Sequence, residues 1–267
     1  MSTNATALLT LARRRLSLSA HTPREIIVPL LTPILFAVVI APALATTMGA
    51  HDNNAYMTFV AIGTVGLLVP LSCMFAGIGI IVDRETGARR ELLAAPVPRQ
   101  LIVVGNLLVA LGVSALQLIA LLITARLRGA EFTSSVNGVA WFVGVALLFA
   151  VAMYGLAEIL ANRVQRQEEY VGLVPTIAIL PWFFAGSLFP LTALPGGLAA
   201  FAKVVPLTHV LALLRYAVVD PSGKGLHDIW GMSDTTTMAL LSLLVVAAFA
   251  ALVTAAAMRV FRRAAVG

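Results

Sequence analysis

Met57–Val82 reads MTFVAIGTVGLLVPLSCMFAGIGIIV, an apolar run without a single charged residue, and it stops at Asp83-Arg84-Glu85. A helix needs about 20 mainly apolar residues to cross a hydrocarbon core of roughly 30 Å, so this run alone points to a membrane. Four further stretches are as long: Ile26–Thr47, Leu101–Thr124, Val139–Ala161 and Thr236–Met258. The whole composition agrees, with 60% hydrophobic and 11% charged residues over 267 positions and a mean hydropathy of +0.97. A soluble domain carries roughly 45–50% apolar and about 25% charged residues. Too little polar surface exists here to cover a globule in water, which excludes a soluble enzyme, a disordered chain, a disulfide scaffold and a free nucleic-acid binder.

A sixth stretch, Val171–Phe189, is interrupted by Pro175 and Pro181. Proline frees backbone carbonyls that need protein or water as partners, so this span is expected to kink and to face the bundle. Leu198–Val219 is long enough to cross but holds Lys203, Pro206, His209 and Arg215. Each cation placed within hydrocarbon costs about 2.5–3.5 kcal/mol on insertion scales. The segment therefore reads as a protein-shielded re-entrant or interfacial hairpin, turning at Pro206.

Charge placement supports six crossings. With six, one side of the membrane receives the residues before Ile26 and the loops 83–100 and 162–170, together with the tail from Arg259, thirteen Lys/Arg in all. The other side receives Arg126, Arg128, Lys203, Arg215 and Lys224. The positive-inside rule puts the first side, with both termini, in the cytoplasm. The formal charge of +6 is thus a topology signal. The expected organisation is an all-α integral membrane protein with one transmembrane domain over 1–267. It comprises an interfacial segment 1–25, spans at 26–47, 57–82, 101–124, 139–161, 171–189 and 236–258, a cytoplasmic loop 83–100 and an extracellular re-entrant segment 190–235 between spans five and six.

The start is too polar and too long to read as a signal peptide, although Ala43-Leu44-Ala45 resembles a cleavage site. In Ala5–Ala20, apolar residues recur at helical spacing beside Arg13, Arg14 and Arg15. That pattern suits an amphipathic helix lying on the leaflet, its arginines reaching anionic lipid. A frayed tail is the alternative.

Catalytic and metal-binding signatures are absent. There is no GxxxxGK[ST], HExxH or GxSxG, and His21, His51, His209 and His227 are scattered. No metal, cofactor or catalytic residue is expected. Energy for uphill transport would come from an ion gradient or another chain. Glu158 is the one acid within a span, with Arg163 a nearby candidate partner; intramembrane carboxylates either relay protons or find such partners. Cys73, the single cysteine, reads as packing.

Asp83–Pro98 carries the clearest motif. Glu85 and Arg89 stand at helical i,i+4 spacing, Leu92, Leu93 and Ala95 add an apolar side, and Pro96 and Pro98 end the helix. Such an amphipathic helix suits docking into a groove of a soluble partner; a solvated linker is the alternative. A second broken region runs Phe189-Pro190-Leu191-Thr192-Ala193-Leu194-Pro195-Gly196-Gly197, then Pro206-Leu207-Thr208-His209 and Arg215-Tyr216. Its prolines and glycines cut apolar sequence into pieces too short to span, giving a lid over a pathway or a structural cap.

With these residues the chain resembles the membrane subunits (permeases) of the type-2 group of ATP-binding-cassette exporters. The likeness extends over nearly the whole sequence and falls most specifically on Glu85, Gly87, Glu91, Leu92, Pro96, Gly186, Phe189, Pro190, Pro195, Pro206 and Arg215. The resemblance implies that Asp83–Pro98 is a coupling helix seated in an ATPase cleft, with Glu85 and Glu91 in polar contact and Leu92 and Leu93 packing there. It also implies that Ala5–Ala20 is an interfacial helix, a second contact with the ATPase, and that Pro190–Arg215 forms re-entrant hairpins closing the pathway outside. The expected unit has two ATPase subunits, which bind ATP and Mg, and a second permease, identical or homologous, in a prokaryotic cell membrane. Arg89-Arg90 departs from the family by making the loop more basic. Gly77, Gly79, Gly105 and Gly112 would allow close helix packing, within one subunit or between two. An ion-coupled carrier, a polysaccharide or glycolipid exporter and a membrane scaffold without transport remain alternatives to export of an amphipathic drug, antibiotic or lipid.

Overall fold

A computed structural model describes residues 3–20, 24–47, 52–95, 98, 100–133 and 135–264. The described residues form helices and turns only, with no strand among them. Helix α1 covers Thr3–Ala20, α2 Arg24–Leu35 and α3 Ala41–Thr47, the last two joined through a π turn at Phe36–Ile40. The long helices are α4 (Asn53–Glu85), α6 (Gln100–Leu127), α7 (Val136–Arg163) and α13 (Thr235–Ala264). Between them lie the short helices α5 (Ala88–Ala94), α8 (Gln167–Ala178), α9 (Leu180–Phe184), α10 (Gly196–Ala202), α11 (Pro206–Val218) and α12 (Lys224–Trp230).

Local chemistry sets the starts of the long helices. Asp52 accepts hydrogen bonds from the amides of Asn54 (2.9 Å) and Ala55 (3.0 Å) at the start of α4. Ser135 accepts from the Gly138 amide (2.9 Å) at the start of α7. Each side chain satisfies a donor that the first turn leaves unpaired. At about 1.5 Å per residue, α4 is roughly 50 Å long, more than a hydrocarbon core requires.

Among the described residues, five helical segments are long and apolar enough to cross a membrane: Leu30–Thr47, α4, α6, α7 and Thr235–Arg263. Four of them extend the expected boundaries, because the helices continue past the apolar runs into the flanking polar residues. The segment expected as one span at Val171–Phe189 is different. It begins earlier, at Gln167, keeps Pro175 inside α8, breaks at Ile179 and resumes with Pro181 in the first turn of α9. Helix ends at Phe184, and the chain turns through Gly186 at φ +74°. Proline is tolerated in a first turn because its missing donor has no helical partner there.

Helix α4 is the axis of the bundle. It is largely buried and packs against α6, α7, α8 and α11, while α13 lies along α7 and α1 along α6. The stretch from α8 to the turn after α9 runs antiparallel to α4 and is bonded to it at several levels. Arg84 donates to the Gln165 carbonyl (3.0 Å), Tyr170 to that of Met74 (2.6 Å) and Trp182 to that of Gly63 (2.8 Å). Finally, the Tyr56 hydroxyl donates to the Leu188 carbonyl at 3.0 Å. Glycines permit the close approach: a Cβ at Gly63 would lie 2.8 Å from the Ser187 carbonyl carbon, and one at Gly77 2.9 Å from Tyr170 Cζ. Gly105 admits Leu11 of α1, whereas Gly112 faces open space. Packing within this chain therefore accounts for Gly77 and Gly105.

Helix α11 is wedged among α4, α7 and α13 with Leu207–Leu214 buried. It meets α10 at an angle of 79°, at the bend that Pro206 opens as first residue of α11. His209 ties this wedge to its surroundings, bonding Ser242 Oγ (3.2 Å) and the Lys203 carbonyl (3.0 Å), while Trp230 Nε1 donates to the same Ser242 hydroxyl (2.8 Å).

Candidate functional site

Charged residues at one end of the bundle are drawn into a single junction. Helix α4 ends at Glu85, Gly87 turns the chain at φ +79°, and α5 follows. A left-handed residue without a Cβ makes this reversal unstrained. Arg84, in the last turn of α4, donates to the carbonyls of Ala161 (3.0 Å), Val164 (2.7 Å) and Gln165 (3.0 Å). These are carbonyls that the end of α7 and the following turn would otherwise leave open. Asp83 is buried and receives Arg14 of α1 at 3.2 Å.

Arg89 projects from α5 toward α7 and donates through Nη2 to Asn162 Oδ1 at 2.8 Å. Its guanidinium also lies 5.9 Å from the Phe261 ring centroid, within cation–π range. Burial pulls the Arg89 pKa below its ordinary value, the Glu158 carboxylate pushing the other way. Asn162 Nδ2 donates to Glu158 Oε1 (2.9 Å) and to the Glu158 carbonyl (2.8 Å). The Tyr154 hydroxyl reaches Glu158 Oε2 at 3.1 Å. Glu158 is only 2% exposed, and its partners are this tyrosine and asparagine rather than Arg163, which is exposed.

The junction divides the residues expected to contact a partner. Arg89, Leu92 and Leu93 are half-buried and line a small indentation with Ile80, Asn106 and Phe261 of their own chain. Leu92 and Leu93 therefore have one side toward the bundle and remain partly exposed. Arg90 and Glu91 of α5 are exposed, as is Glu85 at the end of α4. Pro96 lies outside the described residues. Arg13 is exposed, Arg14 pairs with Asp83 while its side chain stays 37% exposed, and the Arg15 side chain lies outside the described residues.

At the opposite end, Arg215 of α11 donates to the carbonyls of Phe59 (3.3 Å) and Ser187 (3.2 Å) and sits 3.5 Å above the Phe59 ring centroid. It joins α11 to α4 and to the turn carrying half-buried Phe189 and exposed Pro190. Pro195 is exposed at the start of α10 and Pro206 starts α11, so these two prolines frame α10 while Arg215 reaches the turn. Cys73 is fully buried, 3.4 Å from the Ala150 carbonyl, as packing requires. No group of side chains suited to a metal ion occurs among the described residues.

Sequence reasoning missed Asn162, Arg84 and Tyr154. Tyr154, Glu158 and Asn162 recur every four residues, a spacing that puts them on one helix stripe and could have revealed the network.

Known proteins agree with a transport role. An inner membrane transport permease of Escherichia coli K12, YadH, is 24% identical over 213 residues, covering 77% of this chain and 78% of that protein. A putative transport permease of Porphyra purpurea, ycf38, is 28% identical over 195 residues (72% and 65%). Nodulation protein J of Sinorhizobium fredii is 26% identical over 185 residues (68% and 69%). The family model for the ABC-2 type transporter matches residues 6–219, most of the chain and all of the junction but its α13 side. This chain belongs to the ABC-2 type transporter family and is a multi-pass membrane permease.

Proposed function

We propose that the chain is the transmembrane subunit of an ATP-driven exporter, coupled to a separate ATPase and lining the pathway of an amphipathic cargo, whether drug, antibiotic or lipid. The observation that carries this reading is the mounting of α5. Its inner side is fixed to α7 through Arg89, while Glu85, Arg90 and Glu91 stay exposed. A rigidly held helix with a free charged face suits insertion into a groove on a soluble partner, and members of the ABC-2 family generally work with an ATPase. ATP and Mg would be bound by that partner, in two copies.

The termini are read as cytoplasmic and the chain as crossing six times, α8–α9 supplying the additional span. Contacts from Arg84–Gln165 to Tyr56–Leu188 carry that segment along most of α4, which supports the reading. Residues 190–235 are read as a re-entrant cap and α1 as an interfacial helix. Cysteine substitutions at Glu169 and Thr192, both exposed, should react with an impermeant maleimide from opposite faces of sealed vesicles. A second permease, identical or homologous, would complete the pathway. Apolar residues left exposed on α6 and α13, among them Leu116, Ile119, Ile123, Leu244 and Leu252, are available to it or to lipid.

The deciding experiment is purification of the chain from its host membrane. Co-purification of an ATPase, with its coupled activity lost in Glu85→Ala or Glu91→Ala, is the expected result. A preparation without ATPase that still transports would sink the proposal in favour of an ion-coupled carrier. Within the leading reading, export of long polysaccharide is the second candidate, separable by assaying cell-surface glycan in a deletion strain.

A further inference from the structure

Glu158 and Arg89 are drawn together without touching. A direct ion pair buried at this depth must overcome the desolvation of two charges. Here an amide stands between them: Asn162 gives its two donors to Glu158 and its acceptor to Arg89. The orientation of that amide is forced, because turning it over would set Nδ2 against the guanidinium and Oδ1 against the carboxylate. Tyr154 closes the far end by donating to the other carboxylate oxygen. The chain of contacts thus runs from a half-buried side chain on α5 to a carboxylate that is 2% exposed inside the bundle. Bonded chains of this kind polarise one another and hold a single arrangement.

We propose that Asn162 is the joint that makes α5 and α7 move as one body, so that Arg89, Asn162 and Glu158 are positioning residues for the drive stroke. The inference rests on α5 being the helix on which the ATPase acts. Closure of the ATPase pair displaces α5; the Arg89–Asn162 bond carries the displacement to α7 rather than letting α5 slide over its neighbours. A rigid-body shift needs such a fixed contact between the pushed element and the element that lines the path. Arg84 fixes the turn beyond α7, and Asn162 fixes the helix itself.

The test uses spin labels at Ala94→Cys and Arg163→Cys, exposed positions on α5 and at the end of α7, in the full chain assembled with its ATPase in nanodiscs. Electron–electron distance distributions are recorded without nucleotide and with ATP plus vanadate. Wild type and Arg89→Lys, which keeps a donor, should show one narrow distance, unchanged by nucleotide. Arg89→Met, which keeps the packing against Phe261, and Asn162→Leu should show a nucleotide-dependent shift of several ångströms while ATP hydrolysis continues. The double variant should shift no further than either single one. An unchanged distance in both Arg89→Met and Asn162→Leu overturns the proposal. If a variant does not assemble, the same label pair in the chain alone decides: broadening supports the joint, and a wild-type distribution refutes it. A chain that never captures an ATPase would instead defeat the coupling reading, whatever the labels report.

Discussion

Replacing Gly63 by alanine tests the central packing of the bundle. The new Cβ would fall inside van der Waals distance of the Ser187 carbonyl oxygen and 2.8 Å from its carbon. The obstructing atoms are backbone and cannot rotate away. That carbonyl also receives Arg215 at 3.2 Å, and the Gly63 carbonyl receives Trp182 Nε1 at 2.8 Å. Overpacking of this kind costs about 1–3 kcal/mol. Loss of one hydrogen bond inside a membrane protein adds roughly 0.6 kcal/mol, with measured values up to about 1.7. Alanine gains back about 1 kcal/mol of helix propensity over glycine. The net is a destabilisation of about 1–3 kcal/mol. At roughly 2–4 °C per kcal/mol for a chain of this size, Tm in detergent should fall by about 2–12 °C. Gly112→Ala and Gly144→Ala are the controls, since beyond their own helix backbone and chain neighbours nothing lies within 4 Å of the added carbons; both should match or exceed wild type. A Gly63→Ala protein melting with the controls would refute the close approach of the α9 turn to α4.

Gly77→Ala should likewise lower Tm, because its Cβ meets the Tyr170 ring and hydroxyl. Adding Tyr170→Phe removes the nearest atom, so the double variant should melt no lower than Gly77→Ala alone, although Tyr170→Phe by itself forfeits the 2.6 Å bond to the Met74 carbonyl. Arg84→Ala strips three carbonyls near the end of α7 of their donor. Losing hydrogen bonds to a charged group costs about 1.5–3 kcal/mol each at most, and limited trypsinolysis at Arg163 or Arg166 should accelerate in permeabilised vesicles. Arg84→Lys should protect only partly, since one ammonium cannot reproduce the planar fork. Asp234 starts α13 by accepting from the Thr237 hydroxyl and the amides of Thr237 and Thr236 (each 3.1 Å), which hold its pKa below the ordinary aspartate value. A depressed folded pKa means that the cap stabilises above the unfolded value, about 3.9, and is lost as pH falls through the folded one. Amide exchange at Thr236 and Thr237 should therefore rise in that acid window and not in Asp234→Asn, which has no charge to lose.

The long helices were legible because their signal is local: an uncharged run of sufficient length, as in Met57–Val82, suffices. The break at Ile179 was less so. Both Pro175 and Pro181 weaken a span on paper, yet Pro175 stays within α8 and the interruption falls just before Pro181. Which proline wins depends on contacts to α4, more than a hundred residues away for Trp182 and Gly63. The partner of Glu158 shows the same division between local and distant information. Helical residues advance about 100° each, so Asn162 returns to within roughly 40° of Glu158, while Arg163 points about 140° away. Spacing alone favours the asparagine, and the structure places it there.

The facing of α5 was not legible at all, since its anchor, Asn162, stands 73 residues from Arg89. That facing changes what the loop offers a partner. By sequence, Arg89 and Arg90 together make the helix basic. In the folded chain Arg89 is turned inward to Asn162, and the exposed charges are Glu85, Arg90 and Glu91. Arg90 and Glu91 remain exposed on α5 and Glu85 at the end of α4, two acids to one base, so under the coupling reading proposed above a complementary groove would carry a positive excess. A long-range attraction between them would weaken with salt, and charge reversal at Arg90 should strengthen capture of the ATPase at low ionic strength, while reversal at Glu91 should weaken it.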